Sequence, residues 1–342
     1  MPKKLNVIII CGGPSNERDV SLKTGEQVFK ALPKKYNSHL VEIKKNGRWL
    51  LRGSSNKQLA SGLNERGLLV SNPKRQSNID VAFIAMHGKF GEDGKIQALL
   101  ETAGISYTGS GVLASALGMN KRKTLEIVAK YGIKTPKLIT LNSRAILKKQ
   151  LAGIKKEIAQ KIGYPCVVKP NESGSSIGIS IVRSSGEVPA ALRRAFNEDS
   201  SILIEEYIKG LELTCAVMGN SGQTPLLALP PIEILPANEF FDYDSKYSSV
   251  KTQEICPARI SKRQTNQLQG LAKKVHEIIG CDGLSRSDFI LTARNAFYFL
   301  EINTIPGLTE GSLSPKAAKA YGLTFSEFLD KQIQLALLKK NK

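Results

Sequence analysis

The sequence predicts an α/β protein of three units, and three observations support this fold class. Short, continuous apolar runs at residues 5–11 and 81–86 are each followed by glycine and then by helix-like periodicity, which is typical of buried parallel strands. Further strand-like and helix-like segments alternate, and an apolar hairpin lies near the C-terminus. The chain is also long enough, at 342 residues with 41% hydrophobic content, to bury more than one core.

The expected units are residues 1–120, 121–209 and 210–342. Gly109-Ser-Gly111 marks the first break, and Asn120 is the predicted N-cap of the helix that follows. The second unit is predicted to hold helices near 146–161 and 187–197 and strands at 166–169, 178–182 and 202–205. The third unit is predicted to hold several strands, a helix near 262–279, the hairpin and closing helices.

The composition narrows the classes of partner. The formal net charge is +19, but the lysines are spread along the chain in helical surface patterns. Aromatic residues are few and are not interleaved with basic ones, as a single-strand nucleic-acid platform requires. A solvated, lysine-rich surface and no nucleic-acid partner are therefore expected. A small ligand that carries phosphate would still be attracted by this charge.

The apolar segments and the cysteines bear on location. No apolar run approaches membrane-spanning length, so no membrane insertion is expected. The N-terminal apolar run is too short for a signal sequence and is interpreted as a first buried strand. The five cysteines are scattered and form no C-x-x-C pair, which predicts reduced thiols in a cytoplasmic protein.

Residues 286–303 form the most informative segment, with two apolar β-runs around a turn. If Arg294 and Asn295 are the centre of that turn, Asp288 faces Glu301 on one side of the hairpin. Like charges set directly opposite each other are destabilising unless something lies between them.

Arg286 and Asn303 are opposed on the same side of the hairpin. Two carboxylates and an amide oxygen on one rigid surface suit a dication that prefers oxygen ligands, such as Mg²⁺. The alternative is a solvated hairpin face on which Asp288 and Glu301 lie together by chance.

Two other segments favour a nucleotide, though neither does so alone. Lys169 ends a strand and precedes a loop with Gly174, Ser175 and Ser176, whose N–H and O–H groups could surround a phosphate. The alternative is an ordinary turn, because the Walker A order is absent. The segment 202–210 resembles a connector that points Glu205 into a cleft; the alternative is an edge strand that ends in solvated acids.

Several short motifs follow one another along nearly the whole chain. They are Gly12-Gly-Pro-Ser-Asn-Glu-Arg-Asp-Val-Ser21, His87-Gly-Lys-Phe-Gly-Glu-Asp-Gly94, Tyr107-Thr-Gly-Ser-Gly111, Lys169-Pro170 with Gly174-Ser-Ser176, Arg286-Ser-Asp288 and Glu301-Ile-Asn-Thr-Ile-Pro-Gly-Leu-Thr309. In this order they resemble the ATP-grasp enzymes, and specifically the D-alanine–D-alanine ligase family.

The resemblance implies a three-domain ATP-grasp fold with an N-terminal, Rossmann-like domain built on a parallel sheet. It also implies ATP-dependent joining of two D-alanines through an acylphosphate, for peptidoglycan precursors, and a homodimer. Lys121 and Lys169 would hold the ATP phosphates under a loop with Ser175 and Ser176. The residues implied around adenosine are Glu205, Glu206, Tyr207, Ile208, Glu212 and Phe240. Two Mg²⁺ ions, or Mn²⁺, would be bound by Asp288, Glu301 and Asn303.

The remaining implied roles concern the two amino acids. Glu17, with Ser175 nearby, would accept the ammonium of the first D-alanine. Arg286 and the N–H of Gly307 would stabilise the oxyanion, and Tyr247 would close the site. The implied substrate-binding residues are His87, Val20, Lys246, Ser312 and Leu313.

Two departures from the family pattern and two alternatives accompany this prediction. Glu206 replaces a common lysine, and Glu310-Gly311 precedes Ser312 where other residues are usual.

A ligase that uses D-lactate or D-serine as second substrate is the nearest alternative, and Tyr247 disfavours D-lactate. The alternative from another class is a non-catalytic basic protein that binds nucleic acid, with steep salt dependence.

Overall fold

Three β-sheets and their covering helices form the fold. The structure is a computed structural model that describes residues 4–52, 79–142, 147–174, 177–235 and 252–339. The helices are α1 Arg18–Ala31, α2 Lys95–Thr102, α3 Val112–Met119, α4 Lys121–Lys130, α5 Leu147–Lys161, α6 Val188–Glu198, α7 Lys262–Ile279, α8 Leu313–Tyr321 and α9 Phe325–Leu338. The predicted α/β class is confirmed.

The first sheet has five strands in the order β3-β2-β1-β4-β5. Its strands are β1 Asn6–Gly12, β2 Asn37–Ile43, β3 Trp49–Arg52, β4 Val81–Ile84 and β5 Ser106–Tyr107. β1 runs parallel to β2 and β4, β4 runs parallel to β5, and only the edge strand β3 is antiparallel to its neighbour. The two apolar runs of the sequence are therefore adjacent parallel strands, as predicted.

Both faces of this sheet are covered, which explains its continuously apolar strands. Val7 and Ile9 of β1 belong to a core that also contains residues of α1, α8 and α9. Ile8 and Ile10 face the other way and belong to a second core with residues of α2. The two C-terminal helices thus complete the core of the N-terminal sheet.

The second sheet has four antiparallel strands in the order β6-β9-β7-β8. Its strands are β6 Leu138–Leu141, β7 Cys166–Pro170, β8 Ser180–Val182 and β9 Ile202–Glu206. Residues of α5 and α6 share one buried cluster with these strands. The elements predicted for this part of the chain are confirmed, with β8 two residues shorter than expected.

The third sheet is antiparallel, with the order β13-β12-β10-β14-β15 and β11 paired to β10. Its strands are β10 Leu211–Met218, β11 Leu227–Ala228, β12 Ile232–Leu235, β13 Gln253–Ile255, β14 Leu284–Leu291 and β15 Phe297–Asn303. Its core also takes residues from α7 and, notably, Leu125 and Val128 from α4. The unit boundaries at 120 and 209 stay a prediction.

The β14–β15 hairpin has the predicted pairing at its open end but a different turn. Near the turn Leu291 pairs with Phe297, and Asn295 lies in the left-handed region at φ 55°. The predicted two-residue turn centred on residues 294–295 is therefore wrong: the Thr292 N–H donates to the Ala296 carbonyl oxygen at 3.0 Å, and three residues lie between these two. A bulge at Leu300 shifts the register by one, which restores the predicted pair of residues 288 and 301.

Helix caps follow the expected chemistry. Asn120 Oδ1 accepts from the Lys123 N–H at 3.0 Å, as predicted for the start of α4. Ser261 and Gln264 form a reciprocal capping box at α7. These bonds satisfy N–H groups that have no partner within the helix.

Two further properties concern the described residues as a whole. Among the residues that the structure describes, no helix is both long enough and apolar enough to cross a membrane. All five cysteines are free thiols, and burial raises the pKa of Cys11, Cys215 and Cys281 to about 12. These three thiols are therefore protonated and poorly nucleophilic at neutral pH.

We predict that His276 makes folding stability sensitive to acid. Its Nδ1 lies 2.7 Å from Ser285 Oγ and its Nε2 lies 3.2 Å from the Gly219 carbonyl oxygen; burial lowers its pKa to about 4. The unfolded chain binds a proton near pH 6.5 and the folded chain does not, so stability falls as the pH drops from 6.5 towards 4. Urea unfolding should show that His276→Gln removes about 2 kcal/mol of the loss between pH 7 and pH 5. An unchanged loss in this variant would contradict the assignment.

Candidate active site

One cavity of about 780 Å³ lies where the three sheets meet. Its volume falls within the range of roughly 300–1,000 Å³ that is usual for small-molecule sites. Every predicted site residue within the described ranges lines it, namely Glu17, Val20, His87, Lys121, Lys169, Glu205, Glu206, Tyr207, Ile208, Glu212, Arg286, Asp288, Glu301, Asn303, Gly307, Ser312 and Leu313. The other five, Ser175, Ser176, Phe240, Lys246 and Tyr247, lie outside the described residues.

The acidic end of the cavity is formed by the β14–β15 hairpin. Asp288 and Glu301 are direct cross-strand partners, so their side chains leave the sheet on the same side. Arg286, two residues before Asp288, donates Nε–H to its Oδ1 at 2.9 Å and an Nη2–H to its Oδ2 at 2.8 Å. Thr214 on β10 donates its hydroxyl to Asp288 Oδ1 at 2.5 Å. The carboxylate is therefore held in one orientation by two neighbours.

Positive charge balances both carboxylates of this hairpin. Lys121 Nζ lies 3.4 Å from Glu301 Oε2. Burial by itself would lower the pKa of Arg286, but the charges of Asp288, Glu301 and Glu92 outweigh it and raise that pKa above its ordinary value. The guanidinium is therefore a permanent charge beside the two acids.

Asn303 completes the predicted donor set. Its Oδ1 accepts from the Ile305 N–H at 2.9 Å, which fixes the amide at the end of β15. Within the described residues no group of three or more His, Cys, Asp and Glu side chains could hold a metal ion. A metal at this hairpin would therefore need the amide oxygen and oxygens from a ligand in addition to Asp288 and Glu301.

Two lysines reach the cavity from different elements. Lys169, at the end of β7, places Nζ 2.9 Å from Glu205 Oε2, and both side chains are buried. Lys121, the first residue of α4, donates from Nζ to the Ser173 carbonyl oxygen at 2.6 Å. The other oxygen of Glu205, Oε1, is buried and has no hydrogen-bond partner in the described part of the protein. A buried acceptor without a donor is costly, which indicates that a ligand supplies one.

The connector 206–210 forms one wall beside these lysines. The Glu206 N–H donates to the Lys137 carbonyl oxygen at 2.9 Å, and the Lys137 N–H donates back to Glu206 Oε2 at 3.3 Å. Glu206 is thus used to fix the connector, where a lysine is common in the family.

The opposite end of the cavity contains Glu17, His87 and Glu92. His87 Nε2 lies 3.0 Å from Thr24 Oγ1, and burial lowers the pKa of this histidine, so the ring is neutral near pH 7. Glu92 Oε1 accepts from the Gly88 N–H at 2.8 Å. Burial, and then the charge of Glu17, raises the pKa of Glu92 to about 8. The site therefore holds one protonated acid close to Glu17.

Glu92 was missed as a site residue in the sequence, although it belongs to the His87–Gly94 motif. Arg18 was also missed. Its Nη1 donates to the carbonyl oxygens of Gly13 (3.0 Å) and Ile43 (2.6 Å), which ties down the loop that carries Glu17. No sequence signal separates Arg18 from other surface arginines, because its function depends on a loop and a strand that come together only on folding.

Two glycines permit close approach to Glu17. A Cβ at Gly88, where φ is +73°, would lie 2.6 Å from Glu17 Oε2. A Cβ at Gly174 would lie at the same distance from that oxygen. A Cβ at either position would displace the Glu17 carboxylate from its present position, so glycine at these two positions lets the loops after β4 and β7 approach Glu17 closely.

The N-terminus of α8 forms a further part of the cavity. Ser312 is its N-cap, and its side-chain oxygen lies 2.7 Å from Thr309 Oγ1 and makes no capping bond. One turn on, Lys316 pairs with Glu254 of β13, and both line the cavity. A helix N-terminus and a lysine together favour a bound carboxylate.

Fold and cavity together define an ATP-grasp enzyme, and solved structures support this class. The D-Ala:D-Ser ligase VanG from Enterococcus faecalis superposes with a TM-score of 0.82 at 32% identity, covering 98% of this chain and 100% of that one. The D-alanine–D-alanine ligase from Coxiella burnetii gives the same TM-score at 28% identity, covering 98% of this chain and 94% of that one.

Sequence comparisons narrow the class further. Family models described as D-ala D-ala ligase N-terminus and C-terminus match residues 6–110 and 127–334. A D-alanine–D-alanine ligase from Syntrophobacter fumaroxidans is 42% identical over 337 residues, 98% of each chain. One from Carboxydothermus hydrogenoformans is 39% identical over 335 residues, 97% of this chain and 98% of the relative. The protein belongs to the D-alanine–D-alanine ligase family, and the resemblance inferred from the motifs is confirmed.

We predict that Glu92 lowers folding stability at alkaline pH. Its pKa is about 8 in the folded protein and near 4.5 when unfolded, so stability is highest below pH 4.5 and is lost as the pH rises towards 8. Glu92→Gln retains the acceptor for the Gly88 N–H and removes the charge. Urea unfolding should show the variant more stable than the unmodified protein at pH 8, by roughly 1 kcal/mol or more, with a smaller gain at pH 5. Equal gains at both pH values would show that this carboxyl ionises normally.

Proposed function

We propose that the protein uses ATP to join two D-alanines into D-alanyl-D-alanine, for peptidoglycan precursors. A carboxylate oxygen of the first D-alanine attacks the γ-phosphorus, and ADP leaves. The amine of the second D-alanine then attacks the acyl carbon, inorganic phosphate leaves, and the amine loses a proton. The observation that carries this proposal is one cavity that brings Glu17, Lys121, Lys169 and the Asp288–Glu301 pair together. Membership of the ligase family supports the same reaction.

The two lysines and the hairpin are proposed to hold the triphosphate. Lys121 comes from helix α4 and Lys169 from strand β7, so they can contact different phosphate oxygens, with Ser175 and Ser176 proposed above them. Asp288, Glu301 and Asn303 supply the oxygen donors that Mg²⁺ or Mn²⁺ prefers, and the bidentate bond from Arg286 keeps Asp288 oriented. A bound dication would neutralise charge on the transferring phosphoryl group.

Adenine is proposed to lie against the connector. Glu205 Oε1, which is buried without a donor, is suited to accept from the exocyclic amine of a purine. Glu206, Tyr207, Ile208 and Glu212 also line the cavity, and Phe240 is proposed to join them.

The first D-alanine is proposed to lie at the Glu17 end. Glu17 would accept its ammonium, with Val20 and neutral His87 beside it. Because Glu92 carries a proton near pH 7, this end is less negative than two ionised carboxylates would make it, and it suits one ammonium better than a dication. Arg286 and the N–H of Gly307 would then face the oxyanion that forms at the acyl carbon.

The second substrate is proposed to place its carboxylate at the N-terminus of α8, near Ser312 and Leu313. Lys246 and Tyr247 are proposed to complete this subsite. D-serine is the second candidate here, because the VanG structure that superposes on this chain is a D-Ala:D-Ser ligase; D-lactate is the third. An amine attack releases phosphate in the same way for D-alanine and D-serine, so the subsite alone decides between them.

The location, the oligomeric state and the domain bounds of the protein are also proposals. We infer a cytoplasmic enzyme and a homodimer, with the domain bounds at 120 and 209. Light scattering on the purified protein measures the oligomeric state directly.

We predict that ADP release with ATP and Mg²⁺ requires D-alanine. D-serine, D-lactate and L-alanine, offered singly and each together with D-alanine, identify the second substrate. Glu301→Gln should lower turnover by about 100-fold or more, because it removes the negative charge that is proposed to bind the dication beside the ATP phosphates. Circular dichroism checks that the fold is intact. Normal turnover in the variant would show that Glu301 holds no metal.

We predict that Thr214 orients Asp288 for the dication. Thr214→Val removes the hydroxyl bonded to Asp288 Oδ1 and should raise the Mg²⁺ concentration for half-maximal activity by about tenfold. Thr214→Ser retains the hydroxyl and serves as the matched control. If Val and Ser variants require the same Mg²⁺ concentration, the hydrogen bond does not position the ligand.

A further inference from the structure

Asn171 is a buried polar residue in the loop after β7, two residues beyond Lys169, and is 2% exposed. Its own N–H donates to the Ser201 carbonyl oxygen at 2.9 Å, beside the start of β9. The next residue, Glu172, donates its N–H to Asp199 Oδ2 at 2.7 Å. The loop is therefore fixed to the second sheet on one side.

The other side of Asn171 contacts the first turn of α4. The Lys121 N–H donates to the Asn171 carbonyl oxygen at 3.2 Å. The Arg122 N–H donates to Asn171 Oδ1 at 2.9 Å. The first N–H groups of a helix have no partner within it, and an asparagine from another part of the chain satisfies two of them here.

This arrangement joins two parts of the protein beside Lys121 and Lys169, the two lysines proposed to bind the ATP phosphates. α4 buries Leu125 and Val128 in the core of the third sheet, whereas β7 belongs to the second sheet. Lys121 begins α4 and Lys169 ends β7, and both reach the cavity. Asn171 directly follows β7 in the chain and is hydrogen-bonded to the first turn of α4, so its position sets the distance between the two lysines.

A second contact supports the same coupling. Asn120 donates from Nδ2 to Glu172 Oε1 at 2.5 Å, and Lys121 Nζ donates to the Ser173 carbonyl oxygen at 2.6 Å. The start of α4 therefore contacts three consecutive residues of the loop. A junction with this many bonds restricts how far the two sheets can separate locally.

We propose that Asn171 is a positioning residue that fixes Lys121 relative to Lys169 and so shapes the site for the ATP phosphates. The inference rests on the proposed function only in taking ATP as the ligand. Asn171 touches neither substrate and acts through the two lysines. The alternative is an ordinary helix cap that contributes to stability alone.

Asn171→Ala removes the side-chain acceptor, and Asn171→Asp retains one. Ser261→Ala, which removes the cap of the distant helix α7, is the matched control for the loss of a cap. Affinity for ATP is measured by calorimetry with Mg²⁺, and KM values are measured for ATP and for D-alanine. A displaced lysine should weaken binding of ATP by about tenfold in Asn171→Ala.

The expected pattern is a raised Kd and KM for ATP in Asn171→Ala, a D-alanine KM within about twofold of the unmodified value, and recovery of most of the ATP affinity in Asn171→Asp. Ser261→Ala should bind ATP normally. Asn171→Ala with normal ATP affinity, or with the same change as Ser261→Ala, would overturn the proposal.

The controls keep this test separate from that of the proposed function. If the unmodified protein binds ATP but releases no ADP with D-alanine, the reaction is wrong and the role of Asn171 can still be measured by calorimetry. If Asn171→Ala fails to fold, as seen by circular dichroism, Asn171→Ser, whose hydroxyl is too short to take the place of Oδ1, is measured instead: a weaker ATP affinity with an unchanged D-alanine KM supports the proposal, and a normal ATP affinity overturns it.

Discussion

The structure depends on balancing two carboxylates that oppose each other across a β-hairpin. Asp288 and Glu301 would repel each other on a rigid sheet unless positive charge lay beside them. Arg286 supplies it from the same strand, whereas Lys121 comes from α4. A second balance of the same kind pairs Lys169 with buried Glu205. The Lys121–Glu301 pair joins α4 to β15, so charge neutrality helps to fix α4 beside the hairpin, whereas Lys169 and Glu205 stand on adjacent strands of the second sheet.

At the other end of the cavity, near Glu17, the negative charge is reduced by a proton bound to Glu92. Glu17 and Glu92 are partly buried and close enough for the charge of Glu17 to act on Glu92. Burial and the charge of Glu17 keep the proton on Glu92. The cavity thus has one end with two carboxylates held beside Arg286 and Lys121, and another end at which one of two carboxyl groups is protonated. Glycine at residues 88 and 174 lets two loops approach Glu17.

Much of the fold and of the candidate site could be predicted, though the hairpin shows the limits of that reasoning. The pairing of Asp288 with Glu301 was predicted from a two-residue turn, and that turn is wrong. A three-residue turn with Asn295 at positive φ and a bulge at Leu300 shift the register in opposite senses, and the two shifts cancel. Alternation of apolar residues indicates which side a residue faces, but it does not reveal a single inserted residue.

The sequence by itself determined the two buried parallel strands, several helix bounds, the family and many of the residues that line the cavity. These follow from local periodicity and from motifs, which are properties of neighbouring residues. Only the tertiary structure decided that Thr214 orients Asp288, that Arg18 anchors the loop of Glu17 and that Asn171 bonds the first turn of α4. These partners are distant along the chain, and an ordinary threonine, arginine or asparagine carries no local signal of what it will contact. Their functions arise because burial forces each polar group to find a partner wherever folding places one.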